Sequence, residues 1–124
     1  AYSIDGIDWT PTENIAIELS EEEGGISQAS ILKTSKGYEM YFSVRGMHSF
    51  RSGSEHSYKI MRASSHDGFK WHRSKTEALG RSTRGWDSEM TAYPNVFKVE
   101  EDTYMLYNGN VFGKTGFGIA KLVS

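Results

Sequence analysis

The chain has no cysteine and only 2 prolines in 124 residues. Without cysteine there is no disulfide framework, no thiol nucleophile and no thiolate metal site. The four histidines, His48, His56, His66 and His72, lack paired ligand spacing, so zinc is not expected and no cofactor is implied. No apolar run approaches the roughly 18 residues that a membrane-crossing helix needs, so no membrane span is expected. Neither sign of charge dominates: 14 Lys and Arg stand against 16 Asp and Glu, for a formal net charge of −2. That balance offers no electrostatic footprint for nucleic acid. The N-terminus carries no basic-then-apolar signal pattern, and a start at Ala1 fits a processed or trimmed chain.

What the chain does have is aromatics and turns. Phe, Trp and Tyr make up 13% of residues, and 13 glycines lie among Ser, Asn and Asp clusters. This is the texture of short strands joined by tight turns. The length fits a single domain.

An internal repeat organises the sequence. Ala1-Tyr2-Ser3-Ile4-Asp5-Gly6-Ile7-Asp8-Trp9 returns 62 residues later as Ala63-Ser64-Ser65-His66-Asp67-Gly68-Phe69-Lys70-Trp71. Ile31-Leu32-Lys33 pairs with Val96-Phe97-Lys98, and Gly37 to Phe42 pairs with Thr103 to Asn108, in the same order. The copies run from about 1 to 62 and from about 63 to 124. Strands are expected over 26–33, 38–44, 57–64, 91–99, 103–108 and 116–122, with turns at 35–37, 65–68 and 100–102. The spacing of Ile15, Ile17 and Leu19 predicts a further strand within 12–23, followed by an acidic loop. The expected fold is therefore all-β, with antiparallel propeller-like blades in two repeats that do not close a ring. Ser-x-Asp-Gly-x-x-Trp supplies a short acceptor and a glycine where the chain reverses, so Asp5 and Asp67 read as structural.

The run from Tyr58 to Trp71, the stretch Gly85-Trp86-Asp87-Ser88-Glu89-Met90, and Tyr104 to Gly118 with its Asn-Gly-Asn-x-x-Gly-x-Thr-Gly-Phe-Gly pattern carry a likeness. The chain resembles the five-bladed propeller glycosidases, the group that includes arabinanases, invertases and levansucrases. A full member would be roughly twice as long. The resemblance implies a central funnel, lined by the innermost strand of each blade, and a catalytic acid one or two places before a proline that opens such a strand. Ala92 and Tyr93 occupy those places before Pro94, and Ser27-Gln28-Ala29-Ser30-Ile31 in the first copy has no acid either. The resemblance thus implies carbohydrate binding, with catalysis incomplete within one chain.

Glycoside hydrolysis needs two carboxyl groups across a sugar, about 5–5.5 Å apart for retention and 6.5–9.5 Å for inversion. Asp87 and Glu89 are the candidate pair, and on a strand they would share a face about 7 Å apart. A solvated loop before the inner strand is the other reading. Trp86, Tyr93, Asn108 and Asn110 are candidate sugar contacts, since sugars stack on aromatic faces and accept amide hydrogen bonds. The two asparagines equally suit a turn that tolerates positive φ. Arg45, His48 and Arg51 offer a site for phosphate, sulfate or uronate, or simply a polar loop. Gly113-Lys114-Thr115 has the wrong glycine spacing for a phosphate loop. Two open blades leave unpaired strand edges, so a homodimer joined through those edges is expected.

Overall fold

A computed structural model of the chain describes residues 1–52 and 55–123. The strands form two antiparallel sheets. The first has the order β1 (Glu23–Thr34), β2 (Gly37–Gly46), β3 (Lys59–Ser65), β4 (His72–Leu79). The second comprises β5 (Ala92–Val99), β6 (Asp102–Asn108) and β7 (Phe117–Lys121). Each sheet is a meander of sequence neighbours, as expected for propeller-like blades. No closed ring forms among the described residues.

The Ser-x-Asp-Gly-x-x-Trp turn is built twice from the same hydrogen bonds. In the second copy the Gly68 N–H donates to Ser65 Oγ at 2.8 Å, and the Phe69 and Lys70 N–H groups donate to Asp67 Oδ1 at 2.8 and 2.9 Å. Trp71 Nε1 closes the turn on the Gly68 carbonyl at 3.1 Å. The first copy repeats this with Ser3, Asp5, Gly6 and Trp9, at 2.8 Å for Gly6 N–H to Ser3 Oγ and 3.2 Å for Trp9 Nε1 to the Gly6 carbonyl. Backbone N–H groups hold both carboxyls below the ordinary aspartate range, those of Ile7 and Asp8 for Asp5 and those of Lys70 and Phe69 for Asp67. Gly6 and Gly68 sit at φ +76° and +81°, where a side chain is strained. In the second copy the turn joins β3 to β4. In the first it closes a minimal hairpin whose only ladder is the Tyr2–Thr10 bridge.

Strand β2 is central, and both of its faces are covered. Met40, Phe42 and Val44 join Met61 and Ala63 in one cluster, against which Ile17, Ile26 and Trp71 pack. Tyr41 faces the other way and joins Ile60, Val96, Met105 and Tyr107 between the sheets. The alternation along Met40-Tyr41-Phe42-Ser43-Val44 therefore sends successive residues to two apolar layers, as a doubly covered strand requires.

Two features differ from the sequence expectation. Residues 12–22 form no strand: Ile15 and Leu19 stay exposed, and Ile17 reaches the core from irregular backbone. Spacing of two describes an extended segment, but a strand also needs a ladder partner. Conversely, β4 completes the first sheet although its sequence, His72 to Leu79, is too polar to announce itself. Arg73 anchors it by a bidentate pair with Glu23 of β1, one bond measuring 2.8 Å.

Strand β5, at the edge of the second sheet, docks on the first sheet through hydroxyls. The Tyr93 N–H donates to Ser43 Oγ at 2.8 Å and the Val96 N–H to Ser30 Oγ at 3.0 Å. The Thr91 N–H donates to the Tyr58 carbonyl at 3.2 Å. The first two bonds satisfy edge donors of β5 without continuing the ladder, and the third ties down the residue before the strand. They also bring residues 47–52, 55–58, 80–91 and 109–116 together at one end of the two sheets.

Candidate functional site

At that end, four aromatic rings converge around the start of β5. Tyr58 is the hub: its ring centroid lies 5.9 Å from Phe50, 5.8 Å from Tyr93 and 5.4 Å from Phe112. Tyr93 and Phe112 stack at 6.2 Å and 27°. All four are half-buried, so the cluster is packed yet still faces solvent. Burial first, then the neighbouring Tyr58, pushes the Tyr93 phenol above its ordinary pKa, and Arg51 opposes this.

The backbone here is strained. Tyr93 stands at φ +56°, and Val111 and Phe112 stand at +53° and +57° within the single turn Asn110–Gly113. A β-branched residue such as Val111 is a genuine outlier in that region. Such outliers persist where surrounding contacts over-determine them, often at binding sites. Asn108 Nδ2 holds the turn by donating to the Phe112 carbonyl at 3.2 Å. Two hydroxyls close to the Tyr93 segment, Thr91 Oγ1 and Ser27 Oγ, are buried with no protein partner; in the ladder Ser27 stands opposite Ser43, the acceptor for Tyr93.

Arg45, at the end of β2, lays its guanidinium 4.0 Å from the Phe50 centroid, and Arg51 lies 5.0 Å from the same ring. Gly24 and Gly25 of β1 make this possible. A Cβ on Gly24 would fall 2.6 Å from Arg45 Nη1, and one on Gly25 would fall 3.0 Å from Nε. His48 is exposed in the same loop.

The remaining candidates form a second, structural assembly. Asn110 is buried and fully employed: its Oδ1 accepts from the Glu89 and Met90 N–H groups at 2.8 and 3.1 Å, and its Nδ2 donates to the Gly85 carbonyl at 3.0 Å. Its own N–H donates to the Trp86 carbonyl at 2.7 Å, which Thr115 Oγ1 also caps at 2.9 Å. The Trp86 ring packs 5.2 Å from Tyr107. It fills space left by Gly109 and Gly118, where a Cβ would stand 2.7 Å from Cζ3 and 2.5 Å from Cη2 respectively. These contacts account for much of the Asn-Gly-Asn-x-x-Gly-x-Thr-Gly-Phe-Gly run. Its glycines at 109 and 118 clear the ring, while its Asn110 and Thr115 clamp the loop that carries it.

Asp87 and Glu89 are not on a strand and do not share a face. Asp87 is buried and accepts a 2.8 Å hydrogen bond from the Tyr107 hydroxyl, while Glu89 is exposed. Burial, then the bond to Asp87, raises the Tyr107 pKa to about 12. Of the candidates read from sequence, Tyr93, Asn108 and Arg45 meet at the aromatic cluster, whereas Trp86, Asp87 and Asn110 build the loop beside it. Phe50, Tyr58 and Phe112 were missed. They come from segments distant in sequence, and no local pattern marks them.

No family model matches the chain. It is 33% identical over 124 residues to two proteins of Mycobacterium tuberculosis, "Uncharacterized protein MT1551" of strain CDC 1551 / Oshkosh and "Uncharacterized protein Rv1502" of strain ATCC 25618 / H37Rv. Each match covers 98% of this chain but 38% of the relative, so the chain spans well under half the length of these curated relatives. Among solved structures, a glycoside hydrolase superposes with a TM-score of 0.60 at 19% identity, over 80% of this chain and 27% of that one. The chain therefore has a glycosidase-like all-β fold.

Proposed function

We propose that this chain is the carbohydrate-binding part of a glycosidase-like scaffold, with the Tyr58, Tyr93 and Phe112 rings as its sugar platform. The observation that carries the reading is the convergence of these half-buried rings, from three separate segments, at the start of strand β5. Aromatic faces stack on the apolar faces of sugar rings, and Asn108, at the rim, belongs to the same cluster through Phe112. Binding residues held on loops above a rigid sheet are the usual arrangement. We assign hydrolysis to no carboxylate pair in these 124 residues. Asp87 is engaged by Tyr107, Glu89 lies apart from it in solvent, and the places before Pro94 hold Ala92 and Tyr93.

Calorimetric titration with arabinan, fructan and uronic-acid oligosaccharides tests the reading. Binding heat without product release is expected, and Tyr93→Ala should abolish the heat while leaving the far-UV circular dichroism intact. Silence across the panel would overturn it.

A second reading, a self-associating structural module, is favoured by exposed apolar residues along the edge strand β7 and just beyond it: Phe117, Ile119, Leu122 and Val123. Under it the chain forms a homodimer through blade edges. A light-scattering mass of one chain at micromolar concentration would remove this alternative.

A further inference from the structure

We infer that the site selects anionic sugars, with Arg45 and Arg51 receiving a carboxylate or sulfate carried by the glycan; this rests on the sugar-platform reading above. Both guanidiniums lie over the Phe50 ring, which places their central carbons no more than 9 Å apart. Phe50 in turn abuts Tyr58, the hub of the platform. Cation–π contact orients the two cations without neutralising them.

Among the described residues no carboxylate lies within 4.0 Å of either arginine, whereas Arg73 is paired with Glu23, Lys59 with Glu77 and Lys121 with Asp102. The one hydrogen bond recorded for the Arg45 guanidinium there is from Nη1 to the Gly46 carbonyl, at 3.1 Å. Two cations within 9 Å of each other raise the local positive potential, and an anion that reaches either guanidinium is held by charge-assisted hydrogen bonds. The planar fork of arginine suits the paired oxygens of a carboxylate or sulfate.

The position of Arg45 is built into the sheet. The Gly24-Gly25 pair leaves the lane in which its side chain lies: a Cβ at Gly24 would strike both the Gly46 carbonyl and Arg45 Nη1, and one at Gly25 would crowd Nε. Acidic residues bound the site on one side. Glu21, Glu22, Glu23 and Glu55 line the cleft beside Arg45, Glu23 already held by Arg73 and Glu55 lying 3.6 Å from His56. An anionic group therefore approaches from the Phe50 and Arg51 side, where the aromatic platform lies.

The test is titration of the intact chain with oligogalacturonate, with its fully methyl-esterified neutral counterpart and with a sulfated galactan oligosaccharide. At low salt an anionic oligomer should bind at least tenfold tighter than the neutral one. Preference for the carboxylated or for the sulfated oligomer identifies the anion received, and either supports the inference. Arg45→Gln and Arg51→Gln should each erase most of that preference, lowering affinity for the anionic oligomer far more than for the neutral one, and Tyr93→Ala should weaken all binding. Equal affinity for charged and neutral oligomers overturns the inference while leaving the platform reading intact. Loss of neutral and anionic binding together in the arginine variants also overturns it, because the arginines would then act only in packing. No binding by any oligomer overturns both readings.

Discussion

Gly118→Ala is the sharpest probe of how the loop beside the site is held. The new Cβ would stand 2.5 Å from Trp86 Cη2 and 2.6 Å from Cζ2. Carbon atoms rest at about 3.5–4.0 Å, so the ring must retreat by roughly 1 Å. It would then lose contact with Tyr107, on which it packs at 5.2 Å. Overpacking of this kind costs about 1–3 kcal/mol, and about 2 is expected because Trp86, 37% exposed, has room to tilt outward. For a domain of this size that lowers Tm by roughly 8 °C. The diagnostic is a double-mutant cycle read by urea unfolding, using far-UV circular dichroism because the tryptophan itself is removed. In a Trp86→Ala background the clash disappears, so Gly118→Ala should be neutral or slightly stabilising, giving a coupling of about 2 kcal/mol. Gly109→Ala is the control: its Cβ would also strike the Trp86 backbone carbonyl, which truncating the side chain cannot remove. Its penalty should survive in the same background. Equal costs for Gly118→Ala with and without Trp86 would refute the packing argument.

Tyr107 should govern the alkaline limb of stability. Its folded pKa, about 12, lies above the ordinary value of 10, so between these values the unfolded chain releases a proton that the folded chain keeps. Stability from this group is complete below about pH 10 and is lost as pH rises toward 12, a loss of up to about 3 kcal/mol. Tyr107→Phe should flatten that limb in a pH series of urea unfolding and cost about 1–3 kcal/mol at neutral pH, by leaving the buried Asp87 without this donor. An unchanged alkaline slope would count against the pairing. Arg73→Met should lower neutral stability by about 2 kcal/mol, because Glu23 would stay largely buried without its partner. Burial is the largest influence and would raise the Glu23 pKa, but the bond and charge of Arg73 together with the bonds from Ser20 outweigh it and hold the carboxyl below its ordinary value. The stabilisation is present above about pH 4.5 and fades as pH falls through the lower folded pKa, so Arg73→Met should show a shallower acid limb. Identical acid limbs would contradict this.

The chemistry that was legible in the sequence is local. Ser65, Asp67, Gly68 and Trp71 lie within seven residues and make their hydrogen bonds among themselves and with the backbone between them, so the motif specifies its own turn wherever it occurs. The repeated pairs 31–33 with 96–98 and 37–42 with 103–108 likewise locate the first two strands of each sheet.

What tertiary structure alone decided is everything that needs a neighbour from elsewhere in the chain. The polar strand β4 exists because β3 offers it a ladder and Glu23 a charge partner. The alternating Ile15, Ile17 and Leu19 remain irregular because spacing alone supplies no backbone partner. Asn110 could have served a sugar or a turn, and long-range bonds to Gly85, Glu89 and Met90 commit its side chain to the fold. The aromatic platform is of the same kind. Of its rings only Tyr93 stands out in sequence; it meets Phe50, Tyr58 and Phe112 because β5 docks against β1 and β2 through bonds from its backbone to Ser30 and Ser43, and Thr91 just before it bonds to Tyr58. Turn chemistry acts over a few residues and can be read along the chain, whereas a binding face is made by contacts that only the folded sheets bring within reach.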